Sequence, residues 1–162
     1  MTGDTLLPRN AAEQARLDAA LIDLFEHRIT FNQTLGLKIA SVRAGDVRAT
    51  VAMRPELVGH FSYGRLHGGV ISAVLDAMGG LALMVGIAEQ HPHDNTLQVM
   101  HRFIKMATID LRVDYLRPGL GARFTATADV VQLGARLGRT QMRLLDEEGK
   151  LLATGAAAYA VA

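Results

Sequence analysis

Asp76 is the sole acid in the apolar run LHGGVISAVLDAMGGLALMVGIA at positions 66–88. A carboxylate among apolar neighbours is costly unless it is paired or hydrogen-bonded. An Asp bonded to a backbone amide or to an Arg would meet that need. An acid poised in an apolar setting is also how a general base is prepared. A second feature stands at the start of the same run, His67-Gly68-Gly69. In a helix interior each glycine costs about 1 kcal/mol relative to Ala. In a first turn the pair leaves backbone N–H groups bare where the helix dipole favours negative charge. That geometry suits an oxyanion hole, in which N–H donors meet the oxygen of a tetrahedral intermediate. Tight packing at the glycines, with His67 as a cap, is the competing structural reading.

The two features sit on one predicted helix, residues 67–88. Nine residues separate His67 from Asp76, which is about 13.5 Å along the axis and half a turn in angle. One helix cannot easily bring Gly68 and Asp76 to one reacting atom. Two antiparallel copies related by a two-fold axis can, so a joint role implies a symmetric dimer with two sites. The run is apolar on all sides, as in a membrane span or a protein core. Asp76 and the glycines Gly68, Gly69, Gly79, Gly80 and Gly86 interrupt it, and amphipathic strands follow, so a helix enclosed by a sheet is expected and not a span.

The rest of the chain supplies that sheet. Residues 10–34 predict an amphipathic helix, with Asn10 and Glu13 in a capping-box pattern and Leu17, Leu21, Leu24, Phe25 and Ile29 at helical spacing. Gly36 to Val42 and Asp46 to Met53 read as strands, 55–65 as a loop, and 89–105 as a loop with a short helix. Ile109, Leu111, Val113 and Tyr115 alternate with Thr108, Asp110, Arg112 and Asp114 at a period of two. Strands through Phe124–Val130, Thr140–Leu144 and Leu151–Val161 follow, divided by turns at 118–121 and 146–150. One long helix and a run of hairpin strands give an α+β class with an antiparallel sheet.

Composition sets limits. At 162 residues, 49% hydrophobic and 20% charged, the chain has the length of one domain and is not a disordered polymer. Seventeen Lys and Arg against sixteen Asp and Glu give no general pull toward nucleic acid. The lack of Cys excludes a disulfide framework, a thiolate zinc site and a cysteine nucleophile. His91, His93 and His101 lack a partner acid at ligand spacing, so no metal site is expected. The opening MTGDTLLPRNAAEQ has no basic region followed by an apolar run. A cytoplasmic location is expected.

Leu66-His67-Gly68-Gly69, followed by seven residues' spacing to Asp76, resembles the hotdog-fold acyl-CoA thioesterases of the PaaI-like group. The segments ATIDLRVDYLRPG (107–119) and GARFTATADVV (121–131) resemble the YigI-type medium- and long-chain members. The likeness covers residues 35–162, read as the hotdog domain, with 1–34 as an N-terminal helical extension. It implies a long helix wrapped by a curved antiparallel sheet. It also implies a homodimer or dimer of dimers with sites at the interface, an acyl-CoA substrate cleaved by water, and no cofactor. Asp76 matches the acid that activates water or attacks the carbonyl, and Gly68 the amide on the thioester oxygen. His67 matches the adjacent histidine, and Thr108 the hydroxyl that orients water. Many relatives carry an Asn about six or seven residues before the histidine. Here His60 and Phe61 stand there, and His60 is expected to donate in its place. Gly69, Phe61, Met78 and Arg117 complete the expected substrate contacts. Tyr63 and Met84 are weaker candidates, as are Arg65, Arg136 and Arg139 for the CoA phosphates. An aryl-CoA thioesterase, an enoyl-CoA hydratase and a non-catalytic acyl-CoA-binding module are the rival readings. The hydratase would call for an Asp/His pair on one segment, which Asp76 lacks.

Overall fold

A computed structural model of the chain describes residues 7–162; the first six residues of the opening segment, and of the predicted extension, lie outside the described residues. Helix α1 (Ala11–Asp23) starts at Asn10, whose side chain accepts from the Glu13 N–H at 2.9 Å. It buries Leu17 and Leu21 and runs into a wide π-helical turn, Leu24–Arg28. The predicted single helix over 10–34 breaks at Ile29, which is extended (φ −80°, ψ 101°), before α2 (Thr30–Leu35) begins. Side-chain amides take the place of the lost ladder: Asn32 donates to the Phe25 carbonyl at 3.0 Å, and Gln33 to the His27 carbonyl. Gly36, at φ +70°, ends α2 in the left-handed conformation that glycine tolerates.

Strands β1 (Lys38–Arg43) and β2 (Asp46–Ala52) form the first hairpin. The predicted loop over 55–65 holds more structure than expected. Strands β3 (Val58–His60) and β4 (Arg65–Leu66) make a small hairpin with Phe61 to Gly64 at its tip. Helix α3 (Gly68–Gln90) follows, then α4 (Thr96–Arg102), which carries a complete capping box between Asn95 and Gln98. Strands β5 (Ala107–Tyr115), β6 (Arg123–Leu133), β7 (Leu137–Leu145) and β8 (Leu151–Ala160) finish the chain.

Six strands pair antiparallel in the order β1-β2-β6-β7-β8-β5, so β5 is an edge. The α3 helix lies against this sheet, with Leu75, Met78, Leu81, Leu83 and Met84 fully buried. It is long and apolar enough to cross a membrane by composition, yet most of it is packed inside the protein. Leu17, Leu21, Leu24 and Phe25 join the same core, so α1 and the turn after it share one interior with the sheet.

The N-terminal segment is also tied down by polar contacts. Arg9 donates to the carbonyls of Ala88 and His91 at the end of α3 and of Asp94 in the loop that follows. Glu13 accepts from the N–H and hydroxyl of Thr96, both at 2.8 Å, at the start of α4. The Thr96 N–H, then its hydroxyl, hold the Glu13 carboxyl below its usual range. A lowered native pKa stabilises the fold above the unfolded value and loses that effect as pH falls through the native one. Glu13→Gln is therefore expected to melt below wild type at pH 7, with the gap closing as pH drops below about 4.3, the usual glutamate value. Thermal melts across that range check this.

Candidate active site

Asp76 is the ninth of the 23 residues of α3, half-buried, on the face that also carries Ala73, Ala77 and Gly80. Its Oδ1 accepts a hydrogen bond of 2.9 Å from the Thr108 hydroxyl. Its backbone carbonyl accepts another of 2.9 Å from the Tyr159 hydroxyl. Burial, and after it the Asp76 carboxylate, push the Tyr159 phenol above its ordinary range, so it stays a donor. Among the described residues Oδ2 has no partner, which leaves it able to take a proton. The carboxylate faces a recess of about 230 Å3. Phe25, Ile29 and Phe31 form part of its wall, and Phe103 and Met106 another part. A carboxylate with one oxygen fixed and one open, beside an apolar recess, can activate water against an ester-type carbonyl with a greasy tail.

Thr108 reaches Asp76 through a bulge. It pairs with Tyr159 across β5 and β8, but Asp110 pairs with Ala158, so Ile109 is an extra residue. Strict alternation would put Ile109 inside with Leu111 and Thr108 outside. The bulge reverses this before Asp110: Thr108 turns to the helix and Ile109 is 61% exposed. Bulges that re-aim one side chain recur beside active sites.

The other expected group lies at the N-terminus of α3. His67 caps the helix, and its Nδ1 accepts from the Gly69 N–H at 2.8 Å. The neutral ring then carries its proton on Nε2. Gly69 has spent its amide on this cap. The Gly68 N–H makes no hydrogen bond among the described residues, while the Tyr115 hydroxyl donates to the Gly68 carbonyl at 3.0 Å and fixes that peptide. Gly68 and Asp76 lie eight residues apart on a continuous helix, about 12 Å along its axis. One chain thus brings Asp76 together with Thr108, and His67 with Gly68 and Gly69, but not the two groups with each other.

A family model described as the thioesterase superfamily matches residues 63–153, more than half of the chain, and spans Asp76, Thr108 and the His67-Gly68-Gly69 turn. The chain belongs to this superfamily. The match agrees with the thioester-hydrolase class and the hotdog fold expected from the sequence. The medium/long-chain acyl-CoA thioesterase YigI of Escherichia coli K12 is 34% identical over 139 residues, covering 86% of this chain and 90% of that one. A Shewanella oneidensis crystal structure, related to the thioesterase superfamily, is 35% identical with a TM-score of 0.86 over 95% of this chain and all of its own. The PaaI protein of the E. coli phenylacetic acid degradation operon shares the fold, with a TM-score of 0.70 at 18% identity over 94% of this chain and 96% of its own.

The remaining predicted contacts of this thioesterase divide between the two ends of α3. His60, on β3, stacks on Phe61 and touches Tyr63, and its Nδ1 is buried without a partner among the described residues. Phe61 is 93% exposed at the hairpin tip. Arg65 lies over the Tyr63 ring, and Arg117 donates to the Leu151 carbonyl. These residues stand near the Gly68 end, since Gly59 packs on His67 and Gly119 bonds Leu66. Arg136 is at the other end, where its carbonyl accepts from Val161. Arg139, on β7, pairs with Ala158 of β8. Met78 and Met84 are fully buried in the core and do not line the recess by Asp76; the methionine that does is Met106. Sequence reasoning missed Tyr159 and Tyr115 as holders of the site. Tyr159 is buried on β8 and Tyr115 is half exposed at the end of β5; the partners they bond become readable only once the packing of these strands on α3 is known.

Proposed function

We propose that this thioesterase hydrolyses acyl-CoA thioesters with medium to long acyl chains, in the cytoplasm and without a cofactor. The observation that carries this is the Asp76 carboxylate, held by Thr108 at an apolar recess. The named activity of YigI adds support. In the proposed reaction Asp76 Oδ2 takes a proton from water, and the water oxygen bonds to the acyl carbon. The Gly68 N–H donates to the carbonyl oxygen as it becomes an oxyanion. Collapse of the tetrahedral intermediate breaks the C–S bond, and the proton passes to the CoA sulfur as the free acid leaves. Thr108 keeps the carboxylate oriented, and Tyr159 anchors the Asp76 backbone carbonyl. His60 donates to the acyl oxygen in the place of the relatives' Asn, Phe61 touches the substrate, and Arg117 meets the CoA phosphates.

Because Gly68 and Asp76 are about 12 Å apart within one chain, the proposal includes a homodimer in which each site draws Asp76 from one subunit and Gly68 from the other. The unpaired edge of β5 supports this, since it offers a full strand for pairing with a second copy, and two such dimers can stack as a dimer of dimers. The test is free-CoA release from acetyl-, octanoyl-, palmitoyl- and phenylacetyl-CoA. Rates that peak on the longer alkyl chains are expected. Binding of these thioesters without release from any of them would replace the enzyme with a binding module.

A further inference from the structure

Gly79 and Gly80 are adjacent in α3, and their surroundings differ. A Cβ at Gly79 would lie 2.2 Å from the Tyr159 hydroxyl and 2.7 Å from Thr140 Oγ1. Packing alone therefore keeps a side chain out of position 79. A Cβ at Gly80 would meet one neighbour, Met106 Sδ at 3.9 Å, which is ordinary contact. Glycine is a poor helix former, and nothing in the packing requires it at 80. What a side chain there would occupy is the recess itself, because Gly80 lines it together with Asp76, Ala77 and Met106. Gly80 lies one turn beyond Asp76, about 6 Å along the helix axis.

We propose that Gly80 sets the length of acyl chain this enzyme accepts, by keeping open the part of the recess between α3 and Met106. This rests on the reading of Asp76 as the acid of an acyl-CoA thioesterase. An acyl carbon placed at Asp76 sends its tail along an apolar wall toward Gly80. Each methylene that leaves water there strengthens binding roughly fourfold. A side chain at 80 blocks the tail about 6 Å beyond the thioester, so it penalises chains that reach past that point and spares shorter ones.

The experiment compares wild type, Gly80→Ala and Gly80→Leu on saturated acyl-CoAs from acetyl to palmitoyl, reading kcat and KM for each and a thermal melt for each protein. The expected result is that the ratio of kcat/KM for the longest to the shortest hydrolysed chain falls at least tenfold in Gly80→Leu, and by a smaller factor in Gly80→Ala. The fall should come chiefly through KM. Gly80→Ala melts at or above wild type, so it carries the test even if the leucine variant does not fold. A folded variant with the wild-type ratio overturns the inference and leaves the thioesterase reading intact. So does an equal loss on every chain length. Wild type that releases no CoA from any substrate overturns the thioesterase reading and this inference with it.

Discussion

Asp76→Asn is expected to lower kcat by about 100-fold to 10,000-fold, the range that a positioned general acid or base contributes. The amide keeps the size of the carboxylate, and its oxygen can still accept from the Thr108 hydroxyl, which stands 2.9 Å from Oδ1. The Tyr159 bond goes to the backbone carbonyl and is untouched by the change. The melting temperature should therefore stay close to that of wild type, and KM should move little. Steady-state CoA release with a thiol reagent, beside a thermal melt, gives both readouts. A folded Asp76→Asn protein within tenfold of wild type would remove Asp76 from the chemistry.

Removal of a single backbone N–H should be almost as costly. Gly68 is the first residue of α3, where proline is favoured because that N–H has no place in the helix ladder. His67 before it is extended, with φ −65° and ψ 137°, the conformation a residue preceding proline adopts. Gly68→Pro thus deletes the proposed oxyanion donor and preserves the helix. The added carbon does approach Tyr115, whose Cε1 would lie 3.3 Å from a Cβ at this position. Gly68→Ala makes the same approach and retains the N–H, so it is the proper reference. Loss of one oxyanion donor costs about 100-fold to 1,000-fold in kcat, and Gly68→Pro should fall below Gly68→Ala by that factor. Equal rates for the two variants would assign the oxyanion to another donor.

The parts of this architecture legible in the sequence are those governed by local period and local caps. The apolar run at 66–88 announced a buried helix, and the alternation after residue 107 announced hairpin strands. His67-Gly68-Gly69 and Asp76 stood out because each is out of place in an ordinary core helix. What escaped was set by contacts distant in sequence. The break at Ile29 depends on Asn32 and Gln33 replacing backbone bonds with side-chain amides, which no helical period reveals. The hairpin at 58–66 is too short to show an alternation. The recess beside Asp76 joins residues near 25, 80, 106 and 159, and its methionine is Met106 because Met78 and Met84 point into the core. The role of Tyr159 needed the register of β8 against β5.

The extra residue at Ile109 makes the chemistry depend on chain length more than on side-chain identity in this part of β5. Thr108 faces the helix only because one residue is looped out before Asp110 resumes the ladder. Many substitutions at the exposed Ile109 leave that phase unchanged. A one-residue deletion or insertion between 107 and 110 would rotate Thr108 to the opposite face or force Leu111 and Val113 out of theirs. Homologous sequences that keep this chemistry can therefore drift freely in composition at position 109, while alignment gaps are barred from this stretch and displaced into the turns that bound the strand.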